Sequence, residues 1–122
     1  MKIQDYTEEL INLRRHFHQY PELALQEVET SAYIRIYLEK LGYTVTAVEP
    51  TGLIAELPCL KKREKLIILR AEMDALPIQE QTGLPYASVN QGCMHACGHD
   101  MILAAALILA KIVAEEQETF PV

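Results

Sequence analysis

The chain has 122 residues, half of them hydrophobic, and a net charge of -6 from 17 acidic and 11 basic residues. This length suits one domain or part of one, and the acidic excess disfavours nucleic-acid binding. The polar start Met1–Asp5 does not resemble a secretory signal, and the apolar run 101–114 is too short to cross about 30 Å of hydrocarbon. We therefore expect a cytoplasmic protein with no membrane or nucleic-acid partner.

Two helices are predicted in the first third of the chain. Apolar residues recur at three- and four-residue steps from Tyr6 to Gln19, which predicts a helix that ends before Pro21. The same periodicity from about Gln26 predicts a second helix, and Gly42 supplies a residue suited to a left-handed helix end.

Three short apolar stretches predict β-strands. Residues 43–48 and 53–57 flank the turn sequence Pro50-Thr51-Gly52, so they are predicted to form a hairpin or two neighbouring strands. Leu66–Leu69 is apolar without alternation, which is typical of a central strand covered on both faces. Together with the helices, these strands predict an α/β fold: a three-layer mixed sheet with flanking helices.

A long loop and a third helix complete the predicted elements. Turn-forming and polar residues fill positions 77–92, and a loop of this length in a compact domain often has a function. From Met101 to about Glu116 the chain is apolar on nearly every face, which predicts a buried helix.

The segment Cys93-Met94-His95-Ala96-Cys97-Gly98-His99-Asp100 holds the densest set of potential metal ligands. In an extended chain His95, Cys97 and His99 would share one face, and Zn²⁺ favours thiolate and imidazole ligands. Asp100 could cap the following helix or hold a ligating imidazole. The alternative is a buried thiol with surface histidines, and the spacing alone does not decide between the two.

Glu72 and Asp74 form a second candidate site directly after the apolar run Leu66–Leu69. Ligands of open α/β sheets gather beyond the carboxyl ends of the strands. The two carboxylates could therefore hold a metal ligand or polarise a water. The alternative is that they are solvated charges where a strand reaches the surface.

Taken together, these segments resemble a known family. Arg70–Pro77 followed by Met94–Asp100 is similar to the signature of the di-metal amidohydrolases, the aminoacylase peptidase family that includes hippurate hydrolase, N-acyl-amino-acid hydrolases and auxin-conjugate hydrolases. Leu13–Leu23 and Gln26–Thr30 are similar to the opening helices of the same family. The resemblance thus covers essentially the whole chain.

The resemblance implies roles for individual residues. Cys97 and His99 match the metal ligands of the family, with Zn²⁺, Mn²⁺, Co²⁺ or Ni²⁺ as the ion and two ions in the complete enzyme. Asp74 matches the acidic catalytic-site residue beside the metal centre. Two positions depart from the family pattern, because Glu72 stands where the family usually has Asp and Ile102 stands where it has His.

The resemblance also implies a fold and an activity. Residues 1–122 are expected to form part of a zinc-peptidase-like catalytic domain, with the dimerisation domain, the general-base Glu and further ligands outside the chain. The complete enzyme would cleave N-acyl amino acids or small peptides with a metal-activated water, and the isolated chain is expected to be inactive. Expected partners are the substrate and either a second copy of the chain or a separate C-terminal polypeptide. The alternative is a non-catalytic remnant or partner-binding module.

The remaining histidines and cysteines have simpler interpretations. His16 and His18 point in different directions from the first helix, so they are predicted to be structural. Cys59 is predicted to be a small apolar filler. Cys93 and Cys97 could form a redox-sensitive pair, which is the alternative to metal binding in that segment.

Overall fold

The computed structural model describes residues 2–58 and 65–119. Its elements, in chain order, are a 3-10 helix (Ile3–Tyr6), α1 (Thr7–Gln19), α2 (Val28–Lys40), β1 (Thr44–Val48), β2 (Gly52–Glu56) and α3 (His99–Glu115). The two strands form an antiparallel hairpin, with Thr44 opposite Glu56 and Val48 opposite Gly52. The predicted α/β class is confirmed, and so are the three helices and the hairpin.

The hydrophobic core lies between the helices and one face of the hairpin. α1 packs against α3, and α2 packs against both α3 and the two strands. Ala104 on α3 is fully buried, and its small side chain allows the helices packed on α3 to approach closely. The buried cluster consists of Leu13, Phe17, Ile34, Leu38, Val45, Leu103, Ala104, Leu107, Ile108 and Ile112.

α3 is less enclosed than its composition predicted. Its buried apolar residues follow the helical period along one face, whereas Met101, Ile102 and Leu109 on its other faces are exposed. Within the described parts of the chain, none of the helices has the length and apolar character needed to cross a bilayer.

The prediction of a central strand at Leu66–Leu69 is wrong for this structure. These four residues form no strand, and their side chains are between 57% and 85% exposed. A strand requires a neighbouring strand for its backbone hydrogen bonds, and no strand in the described ranges 2–58 and 65–119 lies beside it. The run is therefore an exposed apolar surface.

Glu22 holds the connection between α1 and α2. The N-cap residue of α2, Glu27, makes no capping hydrogen bond with its side chain. The Glu22 carboxylate accepts hydrogen bonds from the amide and the hydroxyl of Thr30, both at 2.6 Å, and from the amide of Glu29 at 3.2 Å. It thus satisfies amides that a helix N-terminus leaves free and places negative charge at the positive end of the helix dipole.

Replacing Glu22 with alanine is expected to lower the free energy of unfolding by about 1–2 kcal/mol, because the cap of α2 is lost. Urea unfolding followed by circular dichroism measures the change. Glu22→Gln is the matched comparison, because it keeps an acceptor oxygen and should lose less stability. An unchanged unfolding midpoint for Glu22→Ala would show that the contacts do not stabilise α2.

Candidate functional site

Backbone pairing brings the two candidate segments together. The amide of Leu76 donates to the Met94 carbonyl oxygen at 2.9 Å, and the amide of Met94 donates to the Leu76 carbonyl oxygen at 3.0 Å. Ala75 pairs in parallel with Leu23, after the end of α1. As a result, the segment that carries Glu72 and Asp74 lies beside the start of α3.

His99, the first residue of α3, lies between two carboxylates. Its Nδ1 is 2.9 Å from Asp74 Oδ1 and 3.0 Å from the Asp74 carbonyl oxygen, and its Nε2 is 2.9 Å from Glu72 Oε2. If Nδ1 donates to Asp74, the lone pair of Nε2 faces a carboxylate oxygen. A metal ion bound by both groups would satisfy this pair of ligand atoms.

These three side chains have the geometry of a possible metal site. One ligand atom from each of Glu72, Asp74 and His99 lies within 4.8 Å of the others. Carboxylate and imidazole together suit Mn²⁺, Co²⁺ and Zn²⁺. An open depression adjoins them, and it is lined by Arg70, Ala71, Glu72, His99 and Ile102. Arg70 Nη2 lies 2.9 Å from Glu72 Oε1, so a cation already neighbours this carboxylate.

Cys97 is exposed in the turn before α3, and it is not a member of this group of three residues. His95 is buried, whereas Cys97 is exposed. The extended chain on which a shared face of Cys97 and His99 depended is interrupted between them, because Gly98 adopts a left-handed conformation with φ of 92° and α3 begins at His99.

His95 is 4% exposed, and within the described ranges neither of its ring nitrogens has a hydrogen-bond partner. Burial lowers its pKa below the ordinary value; the nearby Asp100 and Asp74 oppose this shift, and His18 and His99 add to it. Buried polar atoms without partners are uncommon in folded proteins. A bound water would satisfy this imidazole. The carboxylates of Glu72 and Asp74 and the imidazole of His99 are the donor types that fit a divalent transition metal.

A second group of buried charges adjoins the first. Asp100 is 1% exposed, and its Oδ2 accepts hydrogen bonds from His18 Nδ1 at 2.8 Å and from Arg14 Nε at 3.0 Å. Its Oδ1 lies 2.9 Å from the amide nitrogen of Met101. Asp100 was predicted to cap α3 or to hold a ligating imidazole; it accepts a hydrogen bond from the first-turn amide of Met101, and the imidazole that it holds is that of His18 on α1. The other ring nitrogen of His18, Nε2, is 3.0 Å from Glu80 Oε1.

Glu80 anchors the predicted loop 77–92 on α1. Its carboxylate accepts hydrogen bonds from the Ser88 amide, at 3.0 Å, and from the Thr82 hydroxyl. Burial alone would raise the pKa of Glu80, but the contacts with Thr82, Ser88 and His18 lower it below the ordinary value. The ionised carboxylate is therefore the stable form at neutral pH.

No sequence pattern predicted that His18 and Tyr86 lie beside Asp100 and the loop 77–92. The two histidines of α1 do point in different directions, as predicted: the ring of His16 stacks on Tyr33 with 4.0 Å between centroids, whereas His18 faces the loop. Arg14 donates from Nη1 to the Tyr86 hydroxyl at 3.1 Å. The four-residue spacing of Arg14 and His18, which places them on one helix face, was the sequence signal that could have indicated their joint role.

The thiols of Cys93 and Cys97 are both free, so no disulfide joins them in this structure. Burial raises the pKa of the Cys93 thiol, which disfavours the reactive thiolate. Cys59, predicted to be an apolar filler, lies outside the described residues.

The sequence is similar to those of several known proteins. Residues 68–122 match Peptidase family M20/M25/M40. The chain is 47% identical over 121 residues to the N-acetyl-L-cysteine deacetylase of Bacillus subtilis (strain 168), covering 98% of this chain and 29% of that protein. It is 44% identical over 115 residues to the N-acetyldiaminopimelate deacetylase of Limosilactobacillus fermentum, covering 91% of this chain and 30% of that protein.

The fold also matches a solved structure. A crystal structure from Bacillus subtilis, described as a dinuclear metal binding peptidase from the M20 family, has a TM-score of 0.84 and 44% sequence identity, and the match covers 92% of this chain and 32% of that one. The chain thus spans less than a third of the length of the relatives it matches. Sequence similarity and fold agree along nearly all of its residues: residues 68–122 match Peptidase family M20/M25/M40, and the chain as a whole is similar to the N-terminal third of a solved member of the M20 family.

Proposed function

We propose that this chain supplies part of the metal centre of an amidohydrolase that acts on N-acyl amino acids or small peptides. The named activities of its relatives, deacetylation of N-acetyl-L-cysteine and of N-acetyldiaminopimelate, support this substrate class. One geometric observation carries the proposal: the imidazole of His99 is held by Asp74 at Nδ1 and directs Nε2 at the carboxylate of Glu72.

In this proposal Cys97 and His99 are the metal ligands, and Zn²⁺, Mn²⁺, Co²⁺ and Ni²⁺ are the candidate ions. Asp74 is the catalytic-site residue that keeps Nδ1 of His99 protonated, so that Nε2 is available to the ion. Glu72, which is exposed, could add a carboxylate ligand from the open side. Held by these residues, a divalent ion would supply Lewis-acid chemistry: it would lower the pKa of a bound water and polarise an amide carbonyl group.

We further propose that residues 1–122 act as part of a larger catalytic unit, since the relatives are more than three times as long. The general-base Glu, the further ligands and the dimerisation domain would come from another polypeptide or from the rest of a longer protein. The exposed run Leu66–Leu69 is a surface on which a separate C-terminal polypeptide or a second copy could pair. A cytoplasmic location stays a prediction from the sequence.

Titration of the metal-free 122-residue chain with Co²⁺ tests the site. The chain is expected to bind Co²⁺ weakly, with an absorption band of thiolate–Co²⁺ charge transfer, because it supplies fewer ligands than a complete site. His99→Ala should reduce the affinity by more than the roughly 10–100-fold that outer-shell partners contribute. Cys97→Ser should abolish the charge-transfer band.

His16→Gln is the matched control, because His16 lies on α1 and stacks on Tyr33 away from the site. Equal, near-zero binding of Co²⁺ by all variants would favour the non-catalytic remnant instead. If the unmodified chain binds Co²⁺ without a thiolate band and His99→Ala does not bind it, the metal site is supported but Cys97 is not one of its ligands. Hydrolysis of N-acetyl-L-cysteine is then assayed with and without the remainder of the Bacillus subtilis deacetylase. This assay tests whether pairing of the two polypeptides restores turnover.

A further inference from the structure

We propose that His18 is a positioning residue for the metal centre: its buried imidazole braces the two segments that carry the proposed metal-site residues. This inference rests on the proposed function. His18 is 2% exposed. One of its ring nitrogens is 2.8 Å from Asp100 Oδ2, and the other is 3.0 Å from Glu80 Oε1.

The two carboxylates that His18 contacts belong to the two walls of the candidate site. Asp100 directly follows His99 in the first turn of α3. Glu80 follows Asp74 on the other segment, just beyond the backbone pairing at Leu76. That pairing aligns the two segments side by side, but it does not fix how the first turn of α3 is rotated about the helix axis. The contact of His18 with Asp100 fixes this rotation, because Asp100 is the residue next to His99.

The contacts of this group link its members to one another. Asp100 and Glu80 both direct carboxylate oxygens at the ring nitrogens of His18. Arg14 also donates from Nε to Asp100. Buried side chains joined in this way are held rigidly, whereas the loss of one member leaves the others without their contacts. Rigidity is the property that a ligand-positioning group requires.

The same helix offers a residue that separates positioning from general stability. His16 lies two positions before His18 and is partly buried, and its ring packs on Tyr33 and Tyr20. No contact described for it involves Asp100, Glu80 or His99. Replacing His16 therefore perturbs α1 without touching the brace.

The test is a Co²⁺ titration of the 122-residue chain carrying His18→Gln, His18→Asn or His16→Gln, at a temperature where circular dichroism shows each variant folded. His18→Gln is expected to weaken Co²⁺ binding about 10–100-fold, as the loss of other outer-shell partners does. His18→Asn should weaken it less, because its amide replaces Nδ1 and can keep the contact with Asp100. His16→Gln should bind like the unmodified chain.

A folded His18→Gln variant that binds Co²⁺ as tightly as the unmodified chain would overturn the proposal, and so would equal losses in His18→Gln and His16→Gln. If His18→Gln does not fold, Glu80→Gln decides the matter, because it removes the charge and keeps the side-chain shape. Unchanged Co²⁺ affinity in folded Glu80→Gln overturns the brace. Absence of Co²⁺ binding by the unmodified chain overturns this inference and the proposed function together, whereas binding that ignores His18 and Glu80 overturns this inference alone.

Discussion

Replacing Asp100 with alanine is expected to lower the free energy of unfolding by about 3–5 kcal/mol, the cost of removing one partner from a buried ion pair. The carboxylate is buried and accepts hydrogen bonds from His18 and Arg14. Alanine leaves the buried His18 imidazole without its acceptor at Nδ1 and the partly exposed Arg14 guanidinium without its anion, and the imidazole cannot be rehydrated without opening the structure. Urea unfolding at pH 7, followed by circular dichroism, measures the loss.

Glu39→Ala is the matched control for Asp100→Ala. It removes an ion pair with Arg35 of similar length, 2.8 Å, but the two side chains are 47% and 44% exposed. Solvent screens such a pair, so the expected loss is only about 0.3–0.5 kcal/mol. Equal losses in the two variants would show that the Asp100 pairs behave as surface pairs. A double-mutant cycle with His18→Gln should show a coupling of about 0.5–3 kcal/mol if the two residues act as one unit.

Replacing Phe17 with alanine is expected to destabilise the fold by about 3–5 kcal/mol, the usual cost of truncating a buried aromatic ring. Phe17 is among the largest fully buried side chains, and it belongs to the core cluster shared by α1 and α3. Its ring also meets Tyr33 edge to face, with 5.6 Å between centroids and an interplanar angle of 82°. Truncation removes these contacts and leaves a cavity where α1 meets α3.

Ile11→Ala on the same helix is the control for this second result. Ile11 is exposed, and alanine has the higher helix propensity, so the net change should stay within about 0.5 kcal/mol. The two variants are compared by thermal and urea unfolding under identical conditions. A Phe17→Ala variant no less stable than Ile11→Ala would mean that the α1–α3 contact contributes little to the fold.

These two predictions concern two different parts of the contact between α1 and α3. Phe17 faces the apolar core, and the adjacent His18 faces the buried charges at the start of α3. The helix that stabilises the fold is thus also the one that reaches the candidate site. We therefore expect substitutions that remove the His18 contacts to lower the Co²⁺ affinity, and substitutions of either Phe17 or His18 to lower the overall stability.

Local patterns in the sequence were sufficient for the helices and the hairpin. The three- and four-residue apolar spacing of α1 and α2 encodes a helical stripe, and the turn residues between β1 and β2 encode their reversal. The order of the motifs around Asp74 and His99 was sufficient to suggest the family, because a family signature consists of residue types at fixed positions along the chain. These features depend on neighbours in the chain, so the sequence by itself determined them.

Tertiary structure alone decided which distant side chains meet. His18 and Asp100 are 82 positions apart, and they contact each other only because α1 packs on α3. Without its partners, Glu72 read more readily as a solvated charge than as a ligand, and only the fold places it beside His99. The apolar run Leu66–Leu69 satisfied the sequence pattern of a central strand, yet it lies exposed, because a strand needs hydrogen-bonding neighbours that its own residues cannot provide.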